Sequence, residues 1–425
     1  FLALTTYLNR ILQDVFFAGF YIWTIPFAPE EMDISARATV FSWILGALVA
    51  LAVSVTIEAW VRRSPDGQDN LKSAYLVPLI PLVSMLVGGI PVWMIGRQAM
   101  YGTWADRFFF GLYLGAVCLI VLFVLWFTRR EARAVQHLAL ALLLVGSFSL
   151  QFRSANKYAL NWDRQRDFFW QLKWRVPSLD DKAFIVSPLS PVAYNVNYQM
   201  AFSINMIYDP AAPTEDVRHW WYNGMEQLVY YDEGQANSQE PVSTQFRNIT
   251  FESDMTRAVP VLHRLSIACL LVADPIYLEA PLLWPNERSM FLTTHPEMIL
   301  TEDLPMPVDV FGAEPARDWC YYFQKADLAR QYAHWDDVLT LWQQADSQGL
   351  KPAYGPEYLP FIEASARLDD WKSARTFTRR ALETTDNMQP LLCSNWERIL
   401  QTTPASPDAQ EVWESLDAEL ACQAG

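Results

Sequence analysis

The motifs of enzyme and metal chemistry are missing from these 425 residues. There is no HExxH, GxSxG, Walker loop or GxGxxG, so the usual zinc ligands, nucleophile elbow and phosphate cradles are absent. Five histidines (His137, His219, His263, His295 and His334) are scattered, and none stands at ligand spacing from a cysteine. Neither a metal nor a cofactor is expected. Basic charge is also short, with 32 Lys and Arg against 47 Asp and Glu for a net charge of −15. The deficit lies beyond Phe152, where 22 basic residues face 38 acidic ones; up to Phe152 the balance is 10 against 9. An acidic region of that size repels phosphate backbones, which argues against nucleic acid and for a basic or neutral protein surface as partner.

Long apolar runs are also lacking after residue 152, but they dominate before it. A bilayer core takes about 20 mostly apolar residues per helix. Val40–Ile57, Tyr75–Ile95 and Phe108–Phe127 meet this almost without charge, and His137–Phe152 does so when Ala134 and Val135 extend it. Leu8–Phe27 carries Arg10 and Asp14 at i,i+4, and reads either as a fifth span or as a helix lying in the interface. The expected fold is therefore a membrane α-helical bundle of 4–5 spans over residues 1–152, followed by two non-membrane regions. Arg62, Arg63 and Lys72 lie in one short loop and Arg129, Arg130 and Arg133 in another, two spans apart and so on one side. That side reads as cytoplasmic, which puts everything after residue 152 outside a cell (inner or plasma) membrane crossed several times. Membrane lipid is one expected partner. Position 1 is Phe, with no basic n-region and cleavage site, so the chain reads as truncated before Phe1.

Gly111 and Gly115 form a GxxxG step for close helix contact, either inside the chain or in a dimer. Ser154 to about Arg175 reads as an amphipathic helix ended by Pro177. Ala183–Ser187, Gln245–Glu252, Ala258–His263 and Ser266–Ala273 read as strands, and Tyr194–Tyr208 as a helix. These make residues 153–314 a small extracytoplasmic α/β domain. From 315 to 425 helical patterns take over.

Within that last region, Trp335, Val338, Trp342 and Ala345 recur 36 residues later as Trp371, Ala374, Thr378 and Ala381. An aromatic, a small residue, a bulky one and Ala at these intervals suit closely approaching helix pairs. The segment resembles tetratricopeptide (TPR) repeats, although the small Gly of the first helix is absent, Thr378 stands where an aromatic is usual, and the unit-end proline is displaced to Pro352. The resemblance implies two to three helix pairs that bind a protein partner. The layout of a polytopic membrane half followed by such helices is also similar to TPR-bearing membrane glycosyltransferases of the GT-C type, which use polyprenyl-phosphate sugar donors. That similarity implies, as the alternative function, the C-terminal portion of such an enzyme, with a catalytic carboxylate in an outward loop; Glu30, Glu31 and Asp33 are the matching positions, whose other reading is a solvated turn. The first reading is a membrane protein that presents the later regions for protein–protein interaction or complex assembly.

Of five cysteines, Cys118 lies in a membrane segment, and Cys393 and Cys422 fall near facing ends of consecutive helices. On an oxidising side they either form a disulfide or stay as buried thiols. Alkylation of the unreduced protein followed by mass mapping decides this: a bonded pair leaves Cys393 and Cys422 unlabelled until reductant is added.

Overall fold

A computed structural model describes residues 2–32, 35–63, 79–99, 106–128, 133–193, 195–210, 217–223, 241–263, 269–281, 283–292 and 294–422. The chain divides into two compact units, Phe1–Leu160 and Asn161–Gly425.

Unit 1 is built from α1 (Leu2–Gly19), α2 (Arg37–Arg63), α3 (Leu79–Met94), α4 (Phe110–Thr128) and the first part of α5 (Arg133–Arg175). Among the described residues, three stretches are long and apolar enough to cross a membrane, Arg37–Thr56, Arg107–Val124 and the 42-residue Ala134–Arg175, and the described part of α3 is apolar but shorter. The stretch Leu8–Phe27 departs from the expected single segment. Here α1 stops at Gly19, and the chain continues as 3-10 turns at Tyr21–Trp23, Ile25–Phe27 and Pro29–Glu31. Pro26 and Pro29 each withhold an N–H donor, which suits short turns and ends helical propagation. The helix expected over Ser154–Arg175 is the continuation of the last apolar segment, with no break at residue 152.

Small residues decide the packing in unit 1. The α3 and α4 backbones touch at Gly88 and Gly111, where a Cβ on either residue would overlap the other's carbonyl. A Cβ on Gly115 would come within 2.5 Å of Pro81 O. Gly111 and Gly115 thus serve contact with α3 inside the chain. Helix α1 runs antiparallel to α3, with Arg10 donating to Gly96 O (3.4 Å) and Trp93 Nε1 donating to the buried Asp14 carboxylate (2.8 Å). Ser42 and Ser149 meet at 2.7 Å between α2 and α5.

Unit 2 begins with the end of α5 and continues through β1 (Ser178–Leu179), β2 (Phe184–Ser187), α6 (Asn197–Tyr208), β3 (Trp220–Asn223), β4 (Pro241–Phe246), β5 (Ile249–Asp254), β6 (Ala258–Leu262) and β7 (Leu271–Val272). Then come α7 (Pro285–Leu292), β8 (Ile299–Leu300) and α8 (Val308–Phe311), and after them six helices. The main sheet has the order β3-β2-β6-β7, with β2 parallel to both neighbours and β7 antiparallel to β6. Every residue of β2 is buried, as expected of a central strand covered on both faces. Helix α6 makes the crossover from β2 to β3, and Asn205 fixes it there by donating to His219 O (2.7 Å) and accepting from His219 N (3.1 Å). The run expected as one strand at Gln245–Glu252 is a hairpin of β4 and β5, turning where Arg247 adopts a left-handed φ of 58°. Of the strand expected over Ser266–Ala273, residues 266–268 lie outside the described residues, and Leu271–Val272 form β7.

The last helices are α9 (Trp319–Gln331), α10 (Trp335–Ser347), α11 (Leu359–Arg367), α12 (Trp371–Thr384), α13 (Gln389–Thr402) and α14 (Pro407–Leu420). They pack as successive pairs around one apolar cluster. The first two hairpins share one turn, displaced by 36 residues. Ala333 (φ 56°) and Asp369 (φ 62°) are both left-handed, and His334 N→Ala329 O (2.9 Å) is matched by Asp370 N→Ser365 O (2.8 Å). Trp342 occupies the centre, with its ring 4.6 Å from Phe377 and 5.0 Å from Phe361. The bulky residue that fills the second pair is therefore Phe377, next to the expected Thr378. Thr378 is itself buried and accepts from Trp396 Nε1 at 3.0 Å.

Val338, Ala345, Ala374 and Ala381 are fully buried, and Trp371 is 4 % exposed. Trp335 differs: it is only partly buried, with the Arg367 guanidinium over its ring at 5.5 Å. The two tryptophans are equivalent in sequence but not in burial. Trp371→Ala should cost about 3–5 kcal/mol and Trp335→Ala roughly half that, measured by chemical denaturation. Equal losses would place both rings in the same environment and contradict this packing.

Candidate functional site

The outer face of the first helix pair carries a groove of about 420 Å³. Helix α9 lines it with Tyr321, Lys325, Leu328, Ala329 and Tyr332, which recur at the three- and four-residue steps of one helix face. From α10 come Asp337, Thr340, Leu341 and Gln344, at the same steps; Thr301 and His334 complete the wall. The floor is apolar at Leu328, Ala329 and Leu341, and the rim is polar. Tyrosines mark the two ends of the α9 wall: Tyr332 donates its hydroxyl to Ile299 O, and Tyr321 lies edge-on to Trp174 at 5.2 Å. An apolar floor with aromatic walls and polar groups on the rim combines the two kinds of surface that binding sites use, apolar area and orienting polar groups.

The opposite face of α9 is held by a buried ion network. Asp327 accepts from Arg175 Nε at 2.8 Å, from Arg330 Nε at 2.8 Å and from the Tyr277 hydroxyl at 2.8 Å. Arg330 reaches Asp274 at 2.6 Å and Glu363 at 3.9 Å. Glu363 is clasped by Arg398 at 2.7 and 2.9 Å and by Arg367 at 3.3 Å. The network thus joins the end of α5, the turn after β7, and helices α9, α11 and α13. Burial alone would raise the Asp327 carboxyl, but Arg175 and Arg330 outweigh it and hold it down at about 2. The sequence offers only the Asp327/Arg330 and Glu363/Arg367 spacings as signals of this network, and such spacings are common on solvated helices.

A second buried acid lies beside it. Glu357 is 1 % exposed and accepts from Trp319 Nε1 at 2.7 Å. Burial pushes its carboxyl up to about 7, against the opposing pull of the Trp319 bond. Nearby, Cys269 and Cys320 form a disulfide (Cα–Cα 5.3 Å) that ties the segment before β7 to α9, and Cys393 is bonded to Cys422 (Cα–Cα 5.6 Å). The first of these bonds was not legible in the sequence, because its partners are 51 residues apart in different kinds of structure.

Of the acidic triplet of unit 1, only the side chain of Glu31 is among the described residues. Asp33 lies outside the described residues, and Glu30 and Glu31 fall in the last 3-10 turn. The Glu31 carboxylate lies 3.6 Å from Arg153 and 3.9 Å from Lys157. Among the described residues no group of three His, Cys, Asp or Glu is placed to hold a metal. The chain matches no protein-family model, no curated protein and no solved structure.

Glu357 makes the stability of unit 2 pH-dependent in a defined direction. Its folded-state pKa of about 7 exceeds the ordinary glutamate value of 4.5, so the folded form retains a proton that the unfolded chain releases. Stability is then fully present below about pH 4.5 and declines as pH rises to about 7, by about 3 kcal/mol. Glu357→Gln should remove this slope in denaturation series between those pH values, and an unchanged slope would assign it to other groups.

Proposed function

We propose that this is a multi-pass membrane protein that holds an extracytoplasmic α/β and TPR-like helical module as a docking platform for a partner protein. The groove on α9 and α10 is the observation that carries this reading. A helix whose buried face is fixed by ion pairs, and whose other face is concave and mixed in polarity, presents a preformed surface, and preformed surfaces bind with less ordering cost. The shared turn of the first two hairpins supports the TPR-like description of the region 315–425. The three apolar helices, with α3 as a fourth pass, fit the expected bundle of spans, and α1 followed by 3-10 turns fits an element that enters the bundle without crossing it. The expected orientation rests on the basic loops at 62–72 and 129–133. The glycosyltransferase alternative draws no support from Glu31, whose carboxylate is paired with two cations where a base would be free.

Affinity capture of the full-length protein from gently solubilised native membranes tests the reading. A stoichiometric protein partner should co-purify, and should be lost when the exposed rim residue Gln344 is changed to Trp to fill the groove. Retention of the same partner by Gln344→Trp would move the binding surface elsewhere. Recovery of a polyprenyl-phosphate sugar in place of a protein would overturn the docking reading in favour of the enzyme.

A further inference from the structure

We infer that the groove on α9 and α10 accepts an acidic peptide segment, with a carboxylate on Lys325 and an apolar side chain over Leu328 and Leu341. The inference deepens the docking reading and rests on it. Lys325 is partly buried in the α9 wall, one turn from Tyr321 and one turn from Ala329. Its ammonium has no hydrogen-bond or ion-pair partner among the described residues, a local departure from the acidic excess of unit 2 that favours basic or neutral partners on its open surface.

The surrounding cations are all engaged. Lys173 donates to Pro177 O at 2.6 Å and lies 3.3 Å from Asp303, Arg175 is bonded to Asp327, and Arg330 to Asp274. Among the described residues these neighbouring cations of α5 and α9 are paired with carboxylates, whereas Lys325, left open inside the concavity, is placed for an anion from outside. Asp337, the groove's own carboxylate, stands on the α10 side 3.9 Å from His334 and is largely exposed, so the positive end of the groove is the α9 wall. A carboxylate on Lys325 would gain a charge-assisted bond in a partly dehydrated setting, where such bonds exceed those on an open surface. The apolar floor beyond Lys325 favours a peptide over a small free acid, since it offers area that only a side chain would cover.

The test uses the full-length protein in lipid nanodiscs and an array of decapeptides with one central Leu. Each peptide is made with two Glu, two Gln or two Lys flanking the Leu, and with a free or an amidated C-terminus. The Glu peptides should bind about fivefold more tightly than the Gln peptides, a preference that salt weakens. Lys325→Gln should bring that ratio to about one, and Lys325→Glu should shift the preference to the Lys peptides. A preference carried by the free terminus, whatever the flanking residues, would assign the terminal carboxylate as the group on Lys325. Equal binding of Glu and Gln peptides, abolished by Gln344→Trp, would overturn the acidic specificity and leave the docking groove standing. Binding that Gln344→Trp does not change, or no binding by any peptide, would overturn both.

Discussion

Asp327 sits between two guanidinium groups, and the arrangement of unit 2 depends on that contact. Arg175 supplies one of them from the last residue of α5, and Arg330 supplies the other from the turn of α9 that follows Asp327 itself. Charges this deeply buried are costly to desolvate, so the network adds little net stability over an apolar core of the same shape. Its effect is on specificity: any other packing of α9 would strand a charge without its partner, which is far more costly than a misplaced leucine. Arg330, through Asp274 and Glu363, extends the constraint from the sheet to the later helices. One ionic cluster therefore sets the register between elements that are distant in sequence.

That constraint also bears on the groove. A helix held only by apolar contacts can slide or roll by small amounts at low cost, because such contacts are non-directional. Directional bonds on the inner face of α9 fix where its outer residues stand. The groove side chains Lys325, Leu328 and Tyr332 alternate with the network residues Asp327, Arg330 and Gln331 along the same two turns. Rigid support and the proposed docking surface are two faces of one short segment.

Much of the architecture was legible because it rests on local periodicity. The apolar segments, the helical pattern from Trp319 onward and the 36-residue recurrence are all read from spacing alone. What was missed rests on tertiary facts. Trp220–Asn223 is a strand only because it lies beside β2, and its run of aromatics shows no alternation to announce it. Arg247 turns a single apparent strand into a hairpin although it is not a glycine, a use of left-handed backbone that composition does not signal. The groove was invisible for a related reason: its residues look like any solvated helix face until the opposite face is known to be buried.

The two disulfides have a bearing on biogenesis. Four cysteines permit three pairings, and the observed one joins Cys269 to Cys320 and Cys393 to Cys422, neighbours in chain order with no interleaving. When such a chain is threaded amino-end first into an oxidising compartment, each bond has both partners present before the next cysteine arrives. The kinetic order of emergence then selects the native pairing, and the mispaired forms that would call for isomerase correction have little time to arise.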